Sequence, residues 1–470
     1  MAVDPALAFA SVGTLGKQLR EKEFTAVELA EFFLDRLKKL GPKYNAVVTV
    51  TRELALAQAK QADADFAAGR DRGPLHGIPY GAKDLLATRG IPTSWGAAPL
   101  KDQMFDGDAT VIVRLRSAGA VLVAKLAMVE IAGGLGYRQA NASFTGPGLN
   151  PWNVARWSGG SSSGPGSAVA AGLVPFAIGS ETWGSIMNPA AQCGITGLRP
   201  TYGRVSRHGA MALSWTMDKL GPMARTADDC GLVLAAIAGR DPADATSSPR
   251  EYAYPPREKL AGRFRLATLR GADESVQPEV RENYRKSLEV LREFATFEEI
   301  ELPDLPYGTV AGTIISCEMA AAFEELVTSG DVWEMTAPED RWGAHAALVI
   351  PAKDYINALR LRAKMQRELD AVLAKYDAVV TPTLATVAPP IDAPFGEYGR
   401  GFAGTEIGGA GNAAGVPAIT VPNGFGEEGL PTGLQFVGRA FEETRLLALA
   451  DAYQAKTDWH TRRPEVPASS

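Results

Sequence analysis

Residues 158–200 read SGGSSSGPGSAVAAGLVPFAIGSETWGSIMNPAAQCGITGLRP, and this stretch decides how the whole chain is read. It holds a glycine–serine turn, a small-residue helix and a second glycine–serine turn. Glycine has no Cβ, so backbone N–H groups in such turns can approach a ligand closely. Serine supplies a hydroxyl nucleophile. Two turns flanking one helix can aim two hydroxyls and several N–H donors at a single point, which is what acyl transfer requires.

Working outward, the first candidate nucleophile is Ser185. It closes the run Thr182-Trp183-Gly184-Ser185, whose N–H groups can form an oxyanion hole, each donor worth roughly 3 kcal/mol in the transition state. The same segment also reads as an ordinary tight turn. Ser161 lies in Gly159-Gly160-Ser161-Ser162-Ser163-Gly164, which alone reads equally as a flexible turn or a phosphate cradle. Gly160 to Gly164 matches G-x-S-x-G with Ser162 as nucleophile, but that motif needs a preceding strand and a later acid and histidine. Residues 153–157 (NVARW) make a poor strand by sequence, and no histidine stands in a recognisable loop. Lys83 sits in His76-Gly77-Ile78-Pro79-Tyr80-Gly81-Ala82-Lys83-Asp84. A solvated surface lysine is the commoner case, but apolar neighbours favour the neutral amine, which can act as a base.

These motifs together resemble the amidase signature family. The resemblance rests on the turns at Gly159 and Gly179, the G-I-P-x-x-x-K-D run at Gly77, and Asn150-Pro151-Trp152-Asn153. It also rests on Gly197 to Ser206, Gly221 to Thr226, Asn412 to Pro422 and Gly429 to Gln435. It spans nearly the full length, with the core of the signature at about residues 77–226. It implies one α/β domain over residues 1–470, with a mixed central β-sheet surrounded by α-helices. It implies a Ser–cis-Ser–Lys triad of Ser185 (nucleophile), Ser161 (bridge, its preceding peptide cis) and Lys83 (base). Thr182, Trp183 and Gly184 fall on the oxyanion hole, and Gly134, Leu135 and Ser162 near the substrate pocket. No cofactor and no metal are expected.

Two departures stand out. The family turn is usually D-T-G-G-S-I-R, whereas here it is Glu181-Thr182-Trp183-Gly184-Ser185-Ile186-Met187. Trp183 in place of glycine keeps its N–H and either narrows the pocket or packs in the core. Met187 in place of arginine is expected to leave Glu181 short of a cation, to depress Lys83 less than usual and to push the pH optimum to the alkaline side.

The rest of the chain bounds the function. It has 470 residues, 46% hydrophobic and 22% charged, with a net charge of −6 and no basic tract, so nucleic acid is not a direct partner. The three cysteines are scattered and odd in number, which fits a reducing, cytoplasmic setting. Four histidines without close ligand spacing argue against a metal site. No signal peptide is read, and no apolar run of about 18 residues is present, so no membrane contact is expected. A capping box at Thr25–Glu28 starts an amphipathic helix expected to stop at Gly41-Pro42. Strands and helices then alternate to the C-terminus, without repeat or linker, as in an α/β core.

The leading expectation is a serine amidase cleaving carboxamide C–N bonds through an acyl-enzyme. Its substrates would be small aryl or alkyl amides, with carbamates and esters as further candidates. Apolar side chains within residues 313–342 (Ile314, Ile315, Met319, Phe323, Trp333, Met335, Trp342) are candidate pocket residues or ordinary helix cores. The alternative is the glutaminase (A) subunit of a tRNA-dependent amidotransferase, for which Glu406 is the acid available to read a glutamine end. A non-catalytic binding protein is the third reading. A homodimer is compatible with all of them.

Overall fold

A computed structural model describes residues 3–255 and 263–465. Its strands in chain order are β1 (Val47–Val50), β2 (Pro79–Lys83), β3 (Val121–Leu126), β4 (Leu149–Asn150), β5 (Asn153–Trp157), β6 (Phe176–Glu181), β7 (Thr196–Arg199), β8 (Lys219–Ala224), β9 (Phe264–Leu269), β10 (Ala295–Ile300), β11 (Ala378–Pro382), β12 (Ala418–Phe425) and β13 (Pro431–Val437). Eleven of them form one mixed sheet in the order β1-β3-β2-β6-β8-β7-β12-β13-β11-β9-β10, and β4 and β5 form a separate pair. β2 runs parallel to both β3 and β6, while β6–β8, β7–β8 and β12–β13 are antiparallel. Helices flank this sheet, so the chain is a single α/β domain. β2, β3, β6, β7, β8 and β11 are buried along their whole length. That two-sided burial explains their near-continuous small and apolar sequence in place of alternation.

The amphipathic helix begins as read, with the reciprocal Thr25–Glu28 capping box, and buries Leu29, Phe33, Leu37 and Leu40. It does not stop at Gly41-Pro42 but runs Ala26–Tyr44 and ends at Asn45 in the left-handed region. Proline in the last turn removes one hydrogen bond from a helix that is already ending. Gly41 is there for packing: a Cβ on it would lie 2.9 Å from Val47 Cγ2. The second correction concerns residues 153–157, which are a strand after all. They pair with β4, and Arg156 bridges to Pro390, outside the main sheet.

One buried carboxyl pair fixes the segment 130–134 beside the site. Glu130 accepts the N–H groups of Thr336 (2.9 Å) and Ala337 (2.8 Å), and the side chain of Asp340 lies fully buried beside it. Burial, and then the charge of Glu130, push the Asp340 carboxyl well above its usual range, so the folded protein keeps it protonated. An unfolded chain ionises Asp340 above about pH 4. Stability from this group is therefore present at acid pH and lost as pH rises toward the folded value. Asp340→Asn removes the dependence. Its melting temperature relative to the parent should rise between pH 5 and pH 8, and parallel curves over that range would refute the assignment.

Candidate active site

The site forms at the carboxyl ends of the adjacent parallel strands β2 and β6, where open α/β sheets place their ligands. Lys83 is the last residue of β2 and is fully buried. Its Nζ lies 2.7 Å from Ser161 Oγ, 3.0 Å from Ser162 Oγ and 2.9 Å from Ser180 Oγ. No carboxylate is among these three contacts. Asp84, the next residue, points the other way, pairing with Lys125 at 2.9 Å and accepting the Ser94 N–H. Burial draws Lys83 down to about 7, against smaller opposing pulls from Asp218 and Glu181.

The hydrogen-bond inventory orients this cage. Ser162 donates its hydroxyl proton to the Ser180 carbonyl at 3.2 Å, so it accepts from Lys83. A neutral lysine has two protons to donate and one lone pair. With Ser162 accepting, one proton and the lone pair remain for Ser161 and Ser180, and Lys83 can act as a base when the lone pair faces Ser161. Gly160-Ser161 is a cis peptide, and the Gly160 N–H is held by Asn188 Oδ1 at 3.1 Å. Ser162 is buried behind Lys83, away from the chamber, so it does not sit where the G-x-S-x-G reading requires its nucleophile.

Ser185 opens onto the chamber and is linked to the cis-serine loop by the Ser162 N–H, 3.3 Å from the Ser185 carbonyl. The turn that carries Ser185 is braced from beneath. Glu181 Oε2 accepts the N–H groups of Ile186 (2.8 Å) and Met187 (3.0 Å). Thr182 Oγ1 donates to Asp218 at 2.6 Å, and Lys219 Nζ donates to the Thr182 carbonyl at 3.3 Å. Among the described residues, no hydrogen bond uses the N–H groups of Trp183, Gly184 or Ser185, which leaves them for a ligand. Gly184 has φ 81°, a conformation that favours glycine, whereas Trp183 keeps a negative φ and a side chain costs it nothing there.

The expectation for Met187 fails at its first step. Glu181 has its cation: Arg199 Nη1 sits 2.8 Å from Glu181 Oε1, with both side chains buried. Arg199 and then Lys219 hold the Glu181 carboxyl at about 2 against the opposing effect of burial. Arg199, Asp218 and Lys219 are the residues that sequence reasoning missed. Arg199 is visible within the Gly197 to Ser206 motif, but nothing in one dimension links it to Glu181.

The chamber in front of Ser185 has a volume of about 880 Å³. Gly134 lines it, together with Ala132, Gly133, Tyr137, Trp157, Thr182, Trp183 and Gly184. Leu135 does not: it is 2% exposed and packs in the main core, with its carbonyl against Gly343. Of the apolar residues in 313–342, only Ile315 reaches the chamber; Ile314, Met319, Phe323 and Met335 are core. Trp333 and Trp342 lie at the surface, edge to face with ring centres 4.6 Å apart. Among the described residues no cluster of three potential metal ligands is present, and no helix is long and apolar enough to cross a membrane.

Known proteins share this fold. The amidase family profile matches residues 28–447, and the chain belongs to that family. It is 40% identical to the A subunit of glutamyl-tRNA(Gln) amidotransferase from Roseiflexus sp. (strain RS-1), covering 96% of each chain. Among solved structures it is similar to the native peptide amidase from Stenotrophomonas maltophilia, with a TM-score of 0.82, 31% identity and 99% of both chains covered. The glutamyl-tRNA(Gln) amidotransferase A subunit from Thermotoga maritima gives a TM-score of 0.78 at 29% identity, with 96% of each chain covered. The chain is thus an enzyme of the amidase signature type, with the Lys83–serine arrangement of the Ser–cis-Ser–Lys class.

The buried Glu181–Arg199 pair supplies a test. Arg199→Met leaves Glu181 charged and buried with only Lys219 nearby, and should destabilise the protein by about 3 kcal/mol in urea denaturation at pH 7. The depressed carboxyl of Glu181 contributes stability above its unfolded value, lost as pH falls through the folded one. The deficit of the variant should therefore shrink toward pH 3.

Proposed function

We propose that the chain hydrolyses a carboxamide to a carboxylic acid and ammonia or an amine, with Ser185 as nucleophile, Ser161 as bridge and Lys83 as base. The observation that carries it is the buried Lys83, drawn down to about 7 by burial, with its Nζ 2.7 Å from Ser161 Oγ, behind a serine that opens onto the chamber. Lys83 takes the proton of Ser161 as Ser161 takes that of Ser185. The Ser185 oxygen bonds to the amide carbon, and the N–H groups of the 182–185 turn receive the developing oxyanion. The relay returns the proton to the leaving nitrogen, the C–N bond breaks and ammonia or the amine departs. Water then cleaves the acyl-enzyme by the same path.

Between the two forms of this reading, the comparisons favour the glutaminase form over the aryl- or alkyl-amidase. Relatives described as the A subunit of glutamyl-tRNA(Gln) amidotransferase match at 36–40% identity over nearly the full length of both chains. A stand-alone amidase is the second reading, and Trp183 favours it. An indole in the oxyanion turn adds apolar surface to the chamber, and the peptide amidase is similar over the whole chain.

Two measurements test the proposal. Log kcat/KM for amide hydrolysis should climb with slope one to an apparent pKa of about 7, as Lys83 loses its proton, and stay flat above it. An apparent value of 9 or more would remove Lys83 from this role. Ammonia release from glutamine and from alkyl amides, and aniline release from anilides, should vanish in Ser185→Ala and fall by at least about a thousandfold in Lys83→Met. Turnover of glutamine only with added partner subunits assigns the first form; anilide or alkyl amide turnover by the chain alone assigns the second.

A further inference from the structure

The chamber has an aromatic wall that meets the catalytic loop. Tyr137, Trp157 and Phe395 all line the chamber. The Trp157 and Phe395 rings stack with centres 4.3 Å apart, and Tyr137 stands edge-on to them, at 6.1 and 5.8 Å. Backbone hydrogen bonds tie together the segments that carry the rings. The Phe395 N–H donates to the Arg138 carbonyl at 3.0 Å, and the Trp157 N–H to the Pro389 carbonyl at 2.9 Å. Two glycines leave room for the rings: a Cβ on Gly133 would lie 2.4 Å from Tyr137 Cε1, and one on Gly160 would lie 2.7 Å from Trp157 Cζ2.

Core filling alone does not account for the tryptophan. Trp157 is 4% exposed, and among the described residues its Nε1 has no hydrogen-bond partner. Burying an indole N–H unpaired costs free energy that a wholly apolar side chain would avoid. The position of the ring supplies a reason for it. Gly160, against which Trp157 packs, immediately precedes Ser161, so the aromatic wall abuts the loop that carries the bridging serine. In the proposed relay Ser161 hands its proton to the leaving nitrogen, which must come within hydrogen-bond reach of Ser161 Oγ. Whatever that nitrogen carries is then the part of the substrate nearest Gly160 and the rings.

We infer that Tyr137, Trp157 and Phe395 form a specificity-determining subsite for the leaving group, and that the enzyme takes secondary carboxamides whose nitrogen carries an arylmethyl group. Aromatic pairs gain from edge-to-face and offset-stacked contact beyond the area they bury, so the subsite distinguishes an aromatic ring from a saturated one of similar size. The C–N bond breaks, the nitrogen takes the relay's proton and leaves as the arylmethylamine, and the acyl group stays on Ser185 until water releases it as the acid. The inference rests on the carboxamide-hydrolase reading and names the amine side of its substrate. Ammonia leaving a primary amide would put nothing against these rings, so the wall belongs with the stand-alone form of that reading.

The test compares two isomers, N-benzylacetamide and 3-phenylpropanamide, with N-(cyclohexylmethyl)acetamide as the saturated counterpart of the first. Benzylamine and ammonia are similarly basic, so the isomers differ in where the ring sits and little in how readily the nitrogen departs. The full-length enzyme should prefer N-benzylacetamide to each of the other two by about fivefold in kcat/KM. Trp157→Leu and Phe395→Leu should each bring both ratios within about twofold, while Phe395→Tyr, which keeps the ring, should retain most of the preference. The readout is a ratio within one variant, so a general loss of activity cancels, and fluorophosphonate labelling of Ser185 identifies a variant that has unfolded. Affinity of the three amides for Ser185→Ala is measured by calorimetry. The same ranking in binding, with no turnover of any of them by the parent enzyme, would overturn the hydrolase reading and leave this inference standing. Turnover with the two isomers equal, with 3-phenylpropanamide foremost, or with a preference that survives both leucine variants would overturn this inference alone.

Discussion

The structure turns on how a lysine is buried without a carboxylate against it. Removing an ammonium from water costs several kcal/mol, and a salt bridge would recover that cost only by locking the charge in place. Here three serine hydroxyls surround Lys83 instead. They satisfy the amine as a hydrogen-bonding group without favouring its charge, so the amine can be neutral near pH 7. Much of the local architecture serves that outcome. The strand alternation that sends Lys83 toward the serines sends Asp84 to Lys125, so the nearest acid in sequence is occupied elsewhere. The parallel pairing of β2 with β6 puts Ser180 under the amine, and the loop 158–163 folds over its end.

A second set of charges does a different job. Glu181 gathers two backbone N–H groups and a guanidinium, while Asp218 and Lys219 hold opposite sides of Thr182. These groups touch the turn from below and leave its upper N–H groups toward the chamber. The turn is rigid because it is over-determined, which is what a preorganised oxyanion site requires. Met187 can then stand where the resembled family has arginine, because the pairing with Glu181 is made by Arg199 from strand β7.

The sequence is legible wherever function demands particular residue types at short spacing. The two glycine–serine turns, the lysine among small residues and the alternation of strands and helices lead to the site and to the α/β core. It is less legible where packing decides. Gly41-Pro42 looks like a stop, but Gly41 is required by Val47 and the helix continues. Residues 153–157 look too polar for a strand, yet their partners lie at 149–150 and at Pro390. Leu135 sits one residue beyond the wall that Ala132, Gly133 and Gly134 form. Arg199 could not be assigned to Glu181, because the contact spans β6 and β7, which are not neighbours in the sheet.

The order of the sheet also separates two halves of the chain. Lys83, Ser161, Ser180, Glu181, Ser185 and Arg199 all precede residue 200, whereas much of the far wall of the chamber (Gly308, Ile315, Thr383, Phe395, Glu406, Asn412) follows residue 300. The chemistry is anchored in buried central strands, where a substitution disturbs the core. The wall that meets the substrate is largely helix ends and loops, where a substitution disturbs little else. Such a chain can exchange what it recognises while its reaction stays fixed, since the two properties are written in separate stretches. Trp183 is a side chain of the chamber wall set inside the stretch that carries Ser185, so that changing it touches both at once.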